Sequence, residues 1–160
     1  YDENLMKQRG MLMKMHIDGT VEWTKLYGSE TKLGFNDLNI FNDTIRVVGY
    51  VYNQNENDRS NLYMSSHLLD GTLIKQNIEY NNGIYTIDFI QNYNNNFLLL
   101  KSIKDEPNIP TFENGYDASA YLYNGDLFFQ SLDFKFSNTG DDFIYQMIQT
   151  SDGGVAGAGW

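Results

Sequence analysis

Two histidines, His16 and His67, are the side chains in this sequence whose ordinary pKa lies near neutrality, and they stand 51 residues apart. A shared metal ion or a general base would be the first use for such a pair. Each stands just before a turn, in "HIDGT" (16–20) and "HLLDGT" (67–72). Their separation reads as the repeat period itself. Matching positions of two repeats point outward from two copies of one unit, so the two rings are expected to lie far apart and share no metal. Glu22, Glu79 and Asp133 invite comparison with the carboxylate pairs of glycoside hydrolases. All three fall in second strands of hairpins, at the solvent-facing kind of position, and read as surface charge. The chain has no cysteine and no Gly-x-Ser-x-Gly elbow, and no catalytic residue is assigned.

Binding is a better prospect than catalysis. The segment "KDEPNIPTFENGYD" (104–117) carries both prolines of the chain, Pro107 and Pro110, which stiffen it. Phe112 and Tyr116 could stack on a sugar ring or fill a partner's pocket. The asparagine-rich segment "NQNENDRSN" (53–61) adds Asn55 and Asn57. Oxygen donors in that segment, Asn53, Asn55, Asn57 and Asp58, are of the kind calcium takes, but the Asp/Asn-x-Asp-x-Asp-Gly order is missing. The segment reads as a solvated loop; calcium is the one cofactor it suggests, and no metal site is assigned. Asp141-Asp142 reads as an ordinary turn.

These residues need elements to position them, and the elements read as strands. The chain is 15% aromatic, with 12 Tyr and 10 Phe, and has no sustained helical period. Three stretches share one shape: "LMKMHIDGTVEWTKLY" (12–27), "LYMSSHLLDGTLIKQNIEY" (62–80) and "ASAYLYNGDLFFQSLDF" (118–134). Each is a strand-forming run, an Asp-Gly or Asn-Gly, and a second run. The glycines Gly19, Gly71 and Gly125 lie 52 and 54 residues apart. Asp-Gly and Asn-Gly between alternating runs predict hairpins with type I′ turns. Three further hairpins lie between or after these, at 38–52 (turning at Asn42-Asp43), 85–103 (turning within 92–96) and 143–160 (turning at Asp152-Gly153). Their second strands, "IRVVGYV", "FLLLKSI" and "VAGAGW", are continuously apolar or small, as strands covered on both faces are. The first three hairpins alternate better, as outer strands with one wet face do.

Inner and outer hairpins therefore alternate along the chain, an outer hairpin at 11–28, four-stranded units at 38–80 and 85–134, and an inner hairpin at 143–160. A four-stranded antiparallel unit of about 50 residues matches one blade of a β-propeller. The fold class is all-β, a propeller-like array worth about three blades over residues 1–160. The formal net charge of −10 disfavours nucleic acid as a partner. No apolar run approaches the ~20 residues of a membrane helix, so no membrane insertion is expected. The chain begins at Tyr1, which reads as a mature product or a piece of something longer.

The residues also resemble a family. "MLMKMHIDGTVEWTKLYG" is similar to the outer hairpin of bacterial propeller repeats of the form "WLLKLDxNGNVLWxKTYGG", and "YQMIQTSDGGVAGAGW" to their inner hairpin, "SIIQTSDGGYIVAGYT". Such repeats occur in secreted and surface proteins of the Bacteroidota type. The middle repeats depart from the pattern, with Asn42-Asp43 and Asn92–Asn96 in place of Asp-Gly-Gly. A weaker likeness links Asp18-Gly19 and Trp23 to the Asp-box hairpins of sialidase-type propellers, without their spacing. The resemblance implies a propeller fold in an extracellular or cell-surface bacterial protein. It does not carry a function, because propellers host enzymes, lectins and interaction platforms alike.

Closed propellers need four to eight blades. The array is therefore expected to be a segment of a longer propeller, a chain whose terminal hairpins are completed by neighbouring chains, or an open stack. The reading that follows is a non-enzymatic secreted or surface module that binds protein or glycan. Its alternatives are a structural subunit of a larger assembly and a fragment of a propeller hydrolase or lyase.

Overall fold

The computed structural model describes residues 8–28, 32–52, 60–80, 84–91, 96–104, 116–136 and 142–159. These form twelve strands, with no helix among the described residues. They are β1 (Gly10–Met15), β2 (Val21–Tyr27), β3 (Lys32–Phe41), β4 (Thr44–Tyr52), β5 (Ser60–Leu68), β6 (Leu73–Glu79), β7 (Ile84–Gln91), β8 (Phe97–Lys104), β9 (Tyr116–Tyr123), β10 (Phe129–Phe136), β11 (Ile144–Gln149) and β12 (Val155–Gly159). The fold is all-β, in four antiparallel sheets ordered β1-β2, β3-β4-β5-β6, β10-β9-β8-β7 and β11-β12. The chain divides into two compact units, Tyr1–Glu79 and Tyr80–Trp160. Each holds one four-stranded sheet and one hairpin.

In the first unit, β1-β2 lies on one face of β3–β6. Leu12 is buried against Ile45 and Val47, with Trp23, Tyr27 and Phe35 packed around them. Tyr27 and Phe35 also reach a second cluster of Leu33, Val51 and Tyr63. Gly10 leaves room for the Phe35 ring, since a Cβ there would lie 2.6 Å from its Cζ. Burying a side chain such as Leu12 contributes about 1.5–3 kcal/mol. In the second unit, β11 lies against β7 and β8. Its Ile144 and Met147 pack with Leu98, Leu100, Ala120 and Leu122.

Pairing on both sides explains the continuous strands. β4 and β8 are central in their sheets. Ile45 to Val48 and Phe97 to Lys101 are buried without interruption. The same logic corrects the expected alternation of the outer hairpins. β5 is their first strand but is also central, so Leu62 to His67 are all buried, Ser65, Ser66 and His67 included. Alternation holds in β2, where Trp23, Lys25 and Tyr27 turn inward and Glu22, Thr24 and Leu26 outward.

The turns differ from the type I′ expectation. In the loops at Gly19, Gly71 and Gly153 only the glycine has positive φ (88°, 79° and 86°). Each glycine N–H donates three residues back, to the carbonyls of His16 (2.9 Å), Leu68 (2.8 Å) and Thr150 (3.0 Å). These are three-residue loops, a type I turn closed by a left-handed glycine. The aspartate before each glycine accepts from a backbone N–H two residues on, from Thr20 (2.9 Å), Thr72 (2.7 Å) and Gly154 (3.1 Å). These hydrogen bonds, with that from Thr150 Oγ1 foremost for Asp152, lower the pKa of Asp18, Asp70 and Asp152. Each carboxylate therefore supports the fold above its unfolded value of 3.8, and the support is lost as pH falls through the lowered one.

The third glycine, Gly125, is not the left-handed residue of its loop. Leu127 is (φ 67°), its side chain buried, with Asn124 Oδ1 accepting from the N–H groups of Asp126 (2.9 Å) and Phe128 (3.0 Å). The type I′ geometry occurs instead at Asn42 and Asp43, with φ of 46° and 57°. Aspartate tolerates this conformation less well than glycine. Asp43→Gly should stabilise the first unit by about 0.5–1 kcal/mol, measured by urea denaturation.

Register reveals how the hairpins correspond. A bulge next to the turn separates Lys14↔Trp23 from Met15↔Val21 in β1-β2, and Ser66↔Lys75 from His67↔Leu73 in β5-β6. Every one of these residues moves by 52 between the two hairpins. Met15 is therefore the counterpart of His67, and His16 that of Leu68, which corrects the matching of the two histidines. One residue of offset puts a side chain on the opposite face of a strand. A second bulge separates Phe35↔Gly49 from Asp37↔Val48 in β3-β4, and Ile144↔Gly159 from Gln146↔Ala158 in β11-β12. A Cβ on Gly49 would collide with the Gly34 carbonyl oxygen, and one on Gly159 with that of Phe143. β11-β12 thus repeats β3-β4 down to the glycine at its bulge.

Candidate functional site

Residues two apart on a strand share a face, so Tyr63, Ser65 and His67 form one row on β5. This row lies on the face that receives the β1-β2 hairpin. His67 is fully buried, not outward-pointing as its place in the repeat had suggested. The Tyr27 ring meets it edge-on, with centroids 4.7 Å apart and planes at 70°. His67 Nε2 lies 2.8 Å from Ser65 Oγ, and Nδ1 has no hydrogen-bond partner among the described residues. Burial lowers the pKa of His67; the Gly71 carbonyl opposes it in part, and the charge of Lys25 adds a smaller lowering. The ring is therefore neutral.

The tyrosines close the contact. Tyr27 Oη donates to the Gly71 carbonyl at 2.5 Å, and Tyr63 Oη donates to Gln76 Oε1 at 3.0 Å. Burial is the main cause that raises both phenol pKa values, so both remain donors at neutral pH. Lys25 Nζ reaches Thr72 Oγ1 at 3.4 Å. Gly71 is pressed by Lys25 and Trp23, where a Cβ would lie 2.9 and 3.0 Å from them. The serine and histidine resemble half of a nucleophilic dyad, but both are sealed under the hairpin and no carboxylate among the described residues orients the ring. Their arrangement satisfies a core histidine and gives a substrate no access.

Beside this contact lies an open cleft of about 550 Å³. Val51, Tyr63 and Ile78 form its floor, and Arg9, Leu26 and Gln76 its rim. Arg9, Leu26 and Gln76 are exposed. The cleft combines an apolar base with a guanidinium and an amide that can reach a ligand, the usual composition of a small binding site.

The second unit holds a feature that sequence reasoning missed. Lys101 is buried in the middle of β8. Its Nζ donates to Tyr123 Oη at 2.5 Å and lies 4.3 Å from the Tyr121 ring centroid and 5.1 Å from that of Tyr123. The signal was available, a lone lysine in the apolar run "FLLLKSI". On the neighbouring strand Asp117, also buried, pairs with Lys135 at 2.5 Å.

Of the binding residues expected from sequence, Asn55, Asn57, Pro107, Pro110 and Phe112 lie outside the described residues. Tyr116 opens β9, opposite Lys104. Glu22 is exposed and pairs with Lys14 at 2.8 Å, with His16 Nε2 3.9 Å away. Glu79 is half-buried at the end of β6. Asp133 falls within β10. Among the described residues no three His, Cys, Asp or Glu side chains gather as metal ligands, and no helix is long and apolar enough to cross a membrane. No protein-family model and no curated protein matches the chain.

Proposed function

We propose that the chain is a non-enzymatic module of β-propeller type, from a secreted or cell-surface bacterial protein, that binds glycan through the cleft of its first unit. The observation that carries the reading is that cleft, with its apolar floor and the exposed donors Arg9 and Gln76. A sugar offers apolar ring faces for such a floor and hydroxyl or carboxylate oxygens for such donors. The propeller assignment is supported by hairpins that recur in pairs with the same bulge, β1-β2 and β5-β6 with the same turn as well, and by a hairpin stacked on a sheet in each unit.

The test is a glycan array followed by calorimetric titration of any sugar that binds. Arg9→Ala and Gln76→Ala should each weaken binding about 10-fold, the worth of a charge-assisted or well-placed hydrogen bond. Affinity unchanged from that of the unaltered chain in both variants would remove the cleft from the reading. Turnover of a generic glycosidase substrate would replace the binding reading with a hydrolase. A second reading, binding of protein, is favoured by the exposed Met11, Met13, Met15 and Leu26 on the outward face of β1-β2.

A further inference from the structure

The cleft of the first unit lies at the joint between its hairpin and its sheet. Arg9 and Tyr27 line it from the β1-β2 side, and Tyr63, Gln76 and Ile78 from the four-stranded sheet. Each side contributes one hydrogen-bond donor, and the backbone holds both in place. Arg9 is flanked by Gly10, which pairs with Tyr27 in the hairpin, and by Gln8. The Gln8 carbonyl accepts from the Leu33 N–H at 2.9 Å, and its Nε2 donates to Tyr50 Oη at 2.8 Å. Gln76 pairs with Ser65 in the β5-β6 ladder. Its Oε1 already accepts from Tyr63 Oη at 3.0 Å, which leaves the amide N–H groups to a ligand.

The charge of the cleft is one-sided. The Arg9 guanidinium is exposed and makes no hydrogen bond or ion pair with a described residue. No carboxylate lies among the described residues that line the cleft. The acidity of the chain is concentrated elsewhere. Residues 1–79 hold 8 of the 11 basic and 11 of the 21 acidic residues, a net charge of −3, and residues 80–160 carry the other −7. At physiological salt, charges more than about 8 Å away are largely screened, so the guanidinium dominates what an anion in the cleft meets. The hairpin of the second unit offers nothing comparable. Its β12 is exposed over all five residues, against the expectation of a strand covered on both faces, and carries no polar side chain.

We infer that the cleft selects an acidic sugar, one whose ring carries a carboxylate, with that carboxylate on Arg9 and Gln76 donating to the same ligand. A guanidinium presents its N–H groups as a planar fork that matches the two oxygens of a carboxylate. An ionised carboxylate only accepts hydrogen bonds, which suits two donors with no carboxylate beside them. The apolar floor takes the C–H face of the sugar ring. A volume of about 550 Å³ falls within the ~300–1,000 Å³ of small-ligand sites, room for sugar units rather than for a length of extended peptide. The inference rests on the glycan reading of the cleft and narrows it to sugars of the uronic-acid and sialic-acid kind.

The test sets each acidic sugar against its own methyl ester, which keeps the shape and removes the charge. The probes are glucuronate, galacturonate and mannuronate oligosaccharides and sialyllactose, titrated calorimetrically into the unaltered chain. At least one acid should bind about 10-fold or more tightly than its ester, the worth of a charge-assisted hydrogen bond. Raising the salt from about 0.05 M to about 0.5 M should shrink that preference. Arg9→Gln should bring acid and ester within about 2-fold of one another, and Arg9→Lys should keep part of the preference. Gln76→Ala should weaken acid and ester alike. Esters that bind as tightly as the acids, with both weakened by Arg9→Gln and Gln76→Ala, overturn the inference and leave the glycan reading standing. No binding of any sugar, acidic, esterified or neutral, overturns both. Oligoglutamate that binds as tightly as the best acidic sugar also overturns the inference, because the cleft would then read charge alone and accept an acidic peptide.

Discussion

Gly49→Ala is expected to destabilise the first unit by about 3 kcal/mol, the largest effect of any small substitution there. The added Cβ would collide with the Gly34 carbonyl oxygen and approach the Phe35 Cα to 2.9 Å. Backbone atoms on an adjacent strand cannot rotate away as a side chain can. The ladder would have to open at the bulge between Phe35 and Asp37, beside the Leu33–Val51–Tyr63 cluster. Gly19→Ala is the control. Its Cβ meets nothing within 4 Å, so it bears only the strain of a positive φ, about 1 kcal/mol. Thermal unfolding followed by circular dichroism should separate the two by about 8 °C or more. A Gly49→Ala protein that melts with or above Gly19→Ala would show that the strand pair yields at the bulge without cost.

Acid should loosen the first unit well before its carboxylates titrate. His67 is held neutral in the fold, chiefly by burial, and its folded pKa lies below the ordinary 6.5. A base with a depressed folded pKa binds its proton more readily when unfolded. Its contribution is therefore intact above pH 6.5 and is lost as pH falls from there toward the folded pKa. The slope in that window has a ceiling of about 1.4 kcal/mol per pH unit, the value for one proton taken up on unfolding. The site of opening follows from the contacts, since His67 touches the Tyr27 ring and Tyr27 ties the hairpin to Gly71. In His67→Phe the slope between pH 6.5 and 5 should flatten while the hairpin contact keeps an aromatic partner. Urea denaturation across that pH range measures it. An unchanged slope in the variant would assign the acid sensitivity to other groups.

Legibility varied with the range of the interaction. The Asp-Gly and Asn-Asp turns were readable because they answer to a few neighbouring residues. Their exact geometry was not. Whether Asp18-Gly19 forms a two-residue or three-residue loop depends on which residues pair across it, His16 with Thr20, and composition does not state that. Gly125 misled for the same reason, because a buried Leu127 claimed the left-handed position. The matching of His16 with His67 failed by one residue. Sequence spacing counts residues, whereas faces are set by bulges, and an error of one exchanges inside for outside.

The candidate site was the least legible part. The conspicuous residues of the sequence lie in the segments 53–61 and 104–117. The cleft is lined by Arg9, Tyr63 and Gln76, which lie far apart in the chain and carry no motif. Lys101 was visible as an oddity, but its place between Tyr121 and Tyr123 required β8 and β9 to be in register.

By itself the sequence determined that this is an all-β chain of alternating hairpins, because turn formers and strand-forming side chains act locally and recur at a spacing of about 50 residues. The tertiary structure alone decided which strands became central and which became edges. β5 and β1 descend from the same pattern, yet β5 buries a histidine and two serines while β1 exposes three methionines. The physical reason is that burial belongs to the pairing and stacking of a strand, and those depend on partners that its own residues do not name.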